Sequence, residues 1–527
     1  MKRVFALSLA MVMTLSCLTA CGDKTGGNSA PGNGTASSAP GQSTYEKDTL
    51  VVATTKETTA LITFYPGLGT PGSNITVQYN ESLVRRNAEG TLEPWLATSW
   101  TLADDLTWDF ILREDVVWHN GEKFNADDVI FTWNVITEEG TELSNAADIT
   151  DNVQNIEKTG EYSFRITTKK PYSGLLLKLT AYRCFEETYF NEVGLEGYME
   201  KPIGTGPWKF VNWNKDVEMN FDAFEDYWGG APKIPHMKIV PISAIASRVA
   251  ALEAGDVDII SGVPSTDIER LKSGGYTLLG GPTTRTCYVG MNCTGAGANP
   301  ALRDIRVREA LNRAVDVDLI IESVLDGYGK KTSDCTFNES YTGFRSDLSR
   351  PEYDVQKAKE LLAEAGYGNG LELTMSYVPG AFMNDSEVAQ VIVAMLAEVG
   401  VTVTLSEIES GVKNQQLLDD TITDLHLESM GGPQADGDLM YEVAFSKDGR
   451  YSTYNNPEMD ALHAAAKATM DEKECAQAWG KLQEYETKEM PGIALYQVYD
   501  IAATNSHLKN WTPRADQFID TQSTYFE

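Results

Sequence analysis

Between residues 371 and 405 the spacing of apolar positions changes period twice. Leu371, Leu373, Met375 and Tyr377 alternate with Glu372, Thr374 and Ser376, the two-residue period of a half-buried strand. Val388, Ile392, Met395, Leu396 and Val399 then fall on one helical face, Gly400 supplies a stop, and Val401, Val403 and Leu405 alternate again. This order predicts a β-α-β unit with parallel strands and a right-handed crossover.

Other elements follow from the same signals. Leu50-Val51-Val52-Ala53 reads as an opening strand. Asp354 is an N-cap for a helix with the stripe Ala358, Leu361, Leu362 and Ala365, ended by Gly366. A further helix starts at Asn125 and buries Val129, Ile130 and Trp133; Asp127 and Asp128 then belong to its first turn, where the helix dipole favours acid, and are not a catalytic pair. From Tyr276 to Thr294 the chain reads as extended, with Cys287, Val289, Met291 and Cys293 on one face and Tyr288, Gly290 and Asn292 on the other. A strand of that length can pass from one domain to another.

The N-terminus carries an address. Lys2 and Arg3 precede an apolar stretch from Val4 to Leu15, too short to span a bilayer, as in a secretory signal over residues 1–20. Leu18-Thr19-Ala20-Cys21 resembles a bacterial lipobox, which makes Cys21 the lipidated residue; Cys17 has Thr14 where an aliphatic residue belongs. Residues 21–46, rich in Gly, Ser, Thr and Pro, form a disordered tether reaching roughly 25–30 Å. The expected location is the outer face of the cell membrane, held through the lipid on Cys21, in a Gram-positive-type envelope.

Length and charge narrow the classes. A chain of 527 residues exceeds one hydrophobic core and divides into two or three units. A net charge of −33 repels phosphate backbones, which excludes nucleic acid as a partner. The cysteines beyond the lipobox, Cys184, Cys287, Cys293, Cys335 and Cys475, have no regular spacing and read as buried free thiols, with one bridge possible. The 5 histidines are scattered, and HExxH, CxxC and GxSxG are all absent, so no metal site, cofactor or catalytic residue is assigned and the chain is expected not to be an enzyme.

Several ordered stretches carry a resemblance. Tyr79-Asn80-Glu81-Ser82-Leu83-Val84, Gly90-Thr91-Leu92-Glu93-Pro94-Trp95-Leu96-Ala97, Val117-Trp118-His119-Asn120-Gly121 and Phe124 to Val129 come first. Pro202-Ile203-Gly204-Thr205-Gly206-Pro207-Trp208, Tyr227-Trp228-Gly229-Gly230, Ala250 to Asp258 and Arg306 to Asn312 follow. Together they resemble the extracellular solute-binding proteins of the peptide/nickel class that feed ABC importers, bacterial family 5, from about residue 48 to the end. Read without the family, Gly204 to Pro207 is a tight turn with positive φ at glycine, and the tryptophans are core. His119 sits in the structural part of the signature.

The resemblance implies an α/β fold, periplasmic-binding-protein-like (class II, cluster C), with two lobes joined by a hinge of two crossover strands. Lobe I would take residues 47–285 and 500–527, with an inserted subdomain at about 75–200, and lobe II residues 286–499. The segment around Tyr288 would be the first crossover and Ile493–Tyr499 the second. In peptide-binding relatives a second-lobe carboxylate holds the peptide's ammonium group; the matching position here is Pro433, with Met430 in place of an aromatic residue and Asp436 at a turn.

The implied pocket is Glu57, Tyr288, Asn292, Met430, Gly431, Gly432 and Tyr496. The implied function is capture of oligopeptides or a similar solute by lobe closure and delivery to the permease subunits, by a monomer. A nickel chelate, an oligosaccharide or other organic solute, and a peptide-pheromone receptor are the alternatives.

Overall fold

The computed structural model describes residues 47–527 except positions 67, 88–89, 296 and 433–435. The signal segment, Cys21 with its tether, and Pro433 therefore lie outside the described residues.

The spine is a mixed sheet of 11 strands. At its centre two long strands, Thr277–Met291 and Gly492–Thr504, run antiparallel side by side. One end of this pair extends through Ile259–Ile260, Thr49–Thr54 and His236–Pro241; the other extends through Leu425–Met430, Leu371–Tyr377 and Val401–Glu407. The β-α-β unit is formed as its periodicity predicts: Leu371 to Tyr377 pair in parallel with Val401 to Glu407, and helix Asp385–Glu398 covers them. A separate antiparallel sheet of 4 strands, built from residues between Ala97 and Thr168, packs against helix Ala126–Thr137.

Local signals are honoured. Asp354 Oδ1 accepts the Lys357 amide at 2.8 Å to start helix Val355–Glu364. Asn125 and Asp128 form a reciprocal capping box, and Asp128 also accepts from Trp118 Nε1 at 3.2 Å. Accepting the Asn125 amide at 3.0 Å ties this acid to the helix start, and burial raises its carboxyl to about 7. The five cysteines from Cys184 to Cys475 are free and buried.

Buried apolar residues gather into separate clusters. One draws every member from residues 287–498, a second from residues 62–198, and two smaller ones combine residues 50–271 with residues 501–511. The molecule is a two-lobed α/β fold, and the paired strands Thr277–Met291 and Gly492–Thr504 cross between the lobes.

The crossing is irregular at two places, between Pro282 and Thr286 and between Cys287 and Tyr288, and the longer gap is the first. The freed backbone groups find side chains instead. Thr283 Oγ1 donates to Val498 O at 2.8 Å, Gln497 Nε2 donates to Thr283 O at 2.7 Å, and Tyr341 OH and Asn338 Nδ2 donate to Thr284 O at 2.6 and 3.0 Å.

The Gly204 to Pro207 turn differs from its expected form. Neither Gly204 nor Gly206 has positive φ. Glycine is required there by proximity: a Cβ on Gly204 would lie 1.9 Å from Tyr79 O, and one on Gly206 would lie 2.8 Å from Tyr79 C.

Candidate functional site

A cavity of about 270 Å³ opens in the first lobe. Its wall is assembled from the end of helix Gly69–Tyr79, the segment Asn80 to Arg86, Thr180 and Arg183, Tyr227, and the C-terminal run from Arg514 to Ser523. The C-terminal run carries no strand before Tyr525 beyond Leu508–Lys509, so amide side chains tie it in place. Asn74 Nδ2 donates to Gln517 O at 3.0 Å, Asn74 Oδ1 accepts from Ile519 N at 2.9 Å, and Gln78 Nε2 donates to Ile519 O at 2.6 Å.

Charge in this wall is unevenly matched. Arg514 and Asp516 form a buried pair, with Nε and Nη2 donating to the two carboxylate oxygens at 3.0 and 2.6 Å. The Arg85 guanidinium lies 3.3 Å from the centre of the Trp95 ring and donates to Glu93 at 2.6 Å. Arg183 is only 3% exposed; its Nε donates to Asn80 O at 3.1 Å, while its Nη1 has no hydrogen-bond partner. Burial pushes its pKa down to about 10, with no carboxylate opposing the shift. Glu81 accepts from Tyr227 OH at 2.8 Å and Trp228 Nε1 at 2.9 Å, and burial raises its carboxyl to about 7 despite both bonds.

The second lobe reaches this side of the molecule through Asp438, in helix Gly437–Ala444. Tyr172 OH donates to Asp438 Oδ2 at 3.0 Å, His463 Nε2 and Lys467 Nζ lie 2.8 and 3.2 Å from Oδ1, and Ser173 N donates to Lys467 O at 2.9 Å. Burial alone would raise this carboxyl, but the His463 hydrogen bond and the charges of Lys178, Lys467 and His463 hold it well below the usual range. Asp436 caps the same helix through the Leu439 amide at 2.8 Å and is raised to about 6 by burial and by the Asp438 charge. The Arg86 charge acts on both Asp436 and Tyr341, which places this part of the cavity wall within electrostatic reach of the second lobe.

None of the seven expected pocket residues lines the 270 Å³ cavity. Glu57 Oε1 accepts from Trp213 Nε1 at 2.6 Å and from the Asp216 amide at 2.7 Å. Tyr288 is buried against Phe445 and its hydroxyl meets Met430 Sδ at 2.8 Å. Asn292 bonds Ile422 O and the Gly295 amide at 3.1 and 3.0 Å, and Tyr496 is buried beside Cys287. Gly431 and Gly432 pack on the hinge: Thr284 Oγ1 donates to Gly432 O at 2.9 Å, and a Cβ on Gly431 would lie 2.5 Å from Arg285 Cα. His119 is structural, with Nε2 donating to Gly206 O and Nδ1 accepting from Gly204 N, and burial pushes it down to about 4.

Arg183 and the C-terminal run escaped the sequence reading. Glu81, Trp95 and Tyr227 were visible as motif residues, but nothing in their spacing said that they share a wall. The one local hint was an arginine placed within an otherwise apolar stretch, Ala181-Tyr182-Arg183-Cys184-Phe185.

Residues 91–452 match the bacterial extracellular solute-binding proteins, family 5, middle region. The chain belongs to that family. Heme-binding protein A of Haemophilus influenzae is 26% identical over 97% of both chains. The nickel-binding periplasmic protein of Escherichia coli is 29% identical over 64% of this chain and 67% of its own. Among solved structures, the periplasmic binding protein DppA of Helicobacter pylori in complex with the peptide STSA superposes with a TM-score of 0.78, at 24% identity over 91% of this chain and 98% of that one, which shows the shared fold. As a family 5 solute-binding protein it works outside the cytoplasm, and the curated relatives are binding proteins rather than enzymes. Among the described residues no helix is long and apolar enough to cross a membrane, and no cluster of His, Cys, Asp and Glu could hold a metal ion.

Proposed function

We propose that this chain is the lipid-anchored receptor of an ABC importer, capturing a peptide or similar solute between its lobes and presenting the closed form to the permease. The observation that carries the reading is the pair of antiparallel strands linking separately buried cores, with a register break between Pro282 and Thr286. Lobe I is taken as residues 47–285 with 500–527, including the inserted part at about 75–200, and lobe II as 286–499. The cluster confined to 287–498 supports this division. Ligand contacts to both sides select the closed state, and the free energy of closure is the ligand's differential affinity for it.

The test is small-angle scattering with and without solute recovered from the protein purified from rich medium. A smaller radius of gyration on adding solute is expected; an unchanged one removes the closure mechanism. For the anchor, a Cys21→Ser chain is expected in the medium instead of the membrane fraction, and membrane retention would refute lipidation.

A further inference from the structure

The segment from Tyr172 to Leu179 is rooted in the first lobe, where Tyr172, Leu175 and Leu179 are buried in the core drawn from residues 62–198. Its polar groups meet two helices of the second lobe. Ser173 N and Oγ donate to Lys467 O at 2.9 and 3.2 Å, a carbonyl in the last turn of helix Pro457–Ala468, where no intrahelical donor remains. Lys467 Nζ lies 5.4 Å from the centre of the Tyr172 ring, and Met470 packs against the first-lobe core. With the bond from Tyr172 to Asp438, the chain supplies both sides of a seam between the lobes from its own groups.

Charge is divided across that seam. Asp436 and Asp438 stand together at the start of helix Gly437–Ala444, and the Asp438 charge pushes the Asp436 carboxyl up. Asp438 has His463 at 2.8 Å and Lys467 at 3.2 Å within its own lobe. The cations that act on Asp436, Lys178 and Arg86, both come from the first lobe, and Lys178 acts on Asp438 as well. Lys178 ends the short helix Leu175–Lys178 and is only 6% exposed. An ammonium withdrawn from water to that extent is costly unless carboxylates offset it, and two buried carboxylates at one helix start are costly unless cations offset them. Each lobe carries the half that the other lacks.

Resting on the receptor reading above, we infer that Lys178 is a positioning residue for lobe closure, its ammonium facing the Asp436 and Asp438 carboxylates from across the seam so that the chain itself contributes part of the free energy of closing. A minor closed population then exists without solute. Apparent affinity scales with the binding-competent fraction, so the seam tightens the binding of any solute by one common factor, whatever its chemistry. The two acids, matched from within, ask no cation of the solute.

The experiment uses the full chain, stripped of solute by unfolding and refolding, with spin labels at Gln154→Cys and Ala461→Cys, exposed positions on the two lobes. Pulsed electron paramagnetic resonance reads the distance between them. A short-distance population is expected that falls about tenfold in Lys178→Met and persists in Lys178→Arg. In Lys178→Ala, n-propylammonium replaces the missing atoms and is expected to restore that population, whereas n-propanol is not, a difference that a merely space-filling lysine would not show. Asp436→Asn keeps the oxygen that accepts the Leu439 amide and removes the charge, so it should reproduce the loss; combined with Lys178→Met, it should lose less than the product of the separate effects.

No short-distance population in the solute-free protein, an unchanged one in Lys178→Met, equal rescue by the alcohol, or fully multiplicative losses would overturn the inference. If Lys178→Met does not fold, Asp436→Asn decides by the same distances. Solute recovered from the protein purified from rich medium is then titrated against both chains, and an equal Kd for Lys178→Met would overturn it too. If that solute leaves the distances of the unaltered protein unchanged, the receptor reading falls, while the solute-free comparison still decides this inference.

Discussion

The Tyr172 hydroxyl donates to Asp438 Oδ2 at 3.0 Å, joining the segment that follows the four-stranded sheet to a helix built on the other core. Asp438 keeps its charge through His463 and Lys467 on its own lobe together with Lys178 of the first, so it is an ionised acceptor. Tyr172 adds a hydrogen bond to the other carboxylate oxygen from across the lobe boundary. A hydrogen bond to a charged group contributes about 1.5–3 kcal/mol. Tyr172→Phe should therefore weaken solute affinity by roughly 10- to 100-fold while leaving the unfolding midpoint of the solute-free protein nearly unchanged, measured by calorimetry and urea titration. Undiminished affinity would show that other contacts carry closure.

The pH dependence follows from acids kept neutral by burial. Glu81 and Asp128 are raised to about 7. Above the ordinary carboxylate range the unfolded chain releases these protons while the folded one retains them, so stability falls as pH rises from about 4.5 and the loss is complete above about 7. For Glu81 the difference is on the order of 3 kcal/mol. Urea midpoints should be lower at pH 8 than at pH 5, and Glu81→Gln should flatten its share of that slope. A midpoint that rises steadily with pH would mean these acids are ionised in the folded state.

Gly204 touches the cavity wall from behind. With Tyr79 O 1.9 Å from the position of an added Cβ, Gly204→Ala must displace the backbone that leads into Asn80 and Glu81. The expected cost is about 3 kcal/mol in denaturant unfolding, together with weaker solute binding. A stable variant of normal affinity would show that this wall adjusts freely.

Glu57 offers a contrast. Its Oε1 is already engaged by Trp213 and the Asp216 amide, and Gln can supply the same acceptor. Glu57→Gln is expected to change solute affinity less than twofold, whereas a tenfold loss would place Glu57 in contact with the ligand.

Much of the fold was legible because it is written in local periods and caps. The strand, helix and strand from Leu371 to Glu407, the caps at Asn125 and Asp354, and the long strand ending at Met291 each depend on residues within a few positions of one another. Gly204 shows where local reasoning falls short. A glycine reads the same whether it supplies a positive φ or clears space, and here the end of helix Gly69–Tyr79, distant in sequence, sets the requirement.

The site was less legible for the same reason. Glu81, Trp95 and Tyr227 stand far apart along the chain, and only folding brings them to one cavity wall. By itself the sequence determined the element types, the extended segments that cross between lobes, and the family, since all three rest on ordered local patterns. Tertiary structure alone decided which polar atoms are satisfied, because partners such as Asn74 and Gln517 or Tyr172 and Asp438 lie hundreds of positions apart. An unsatisfied buried hydrogen is a property of packing, and no spacing along a chain records it.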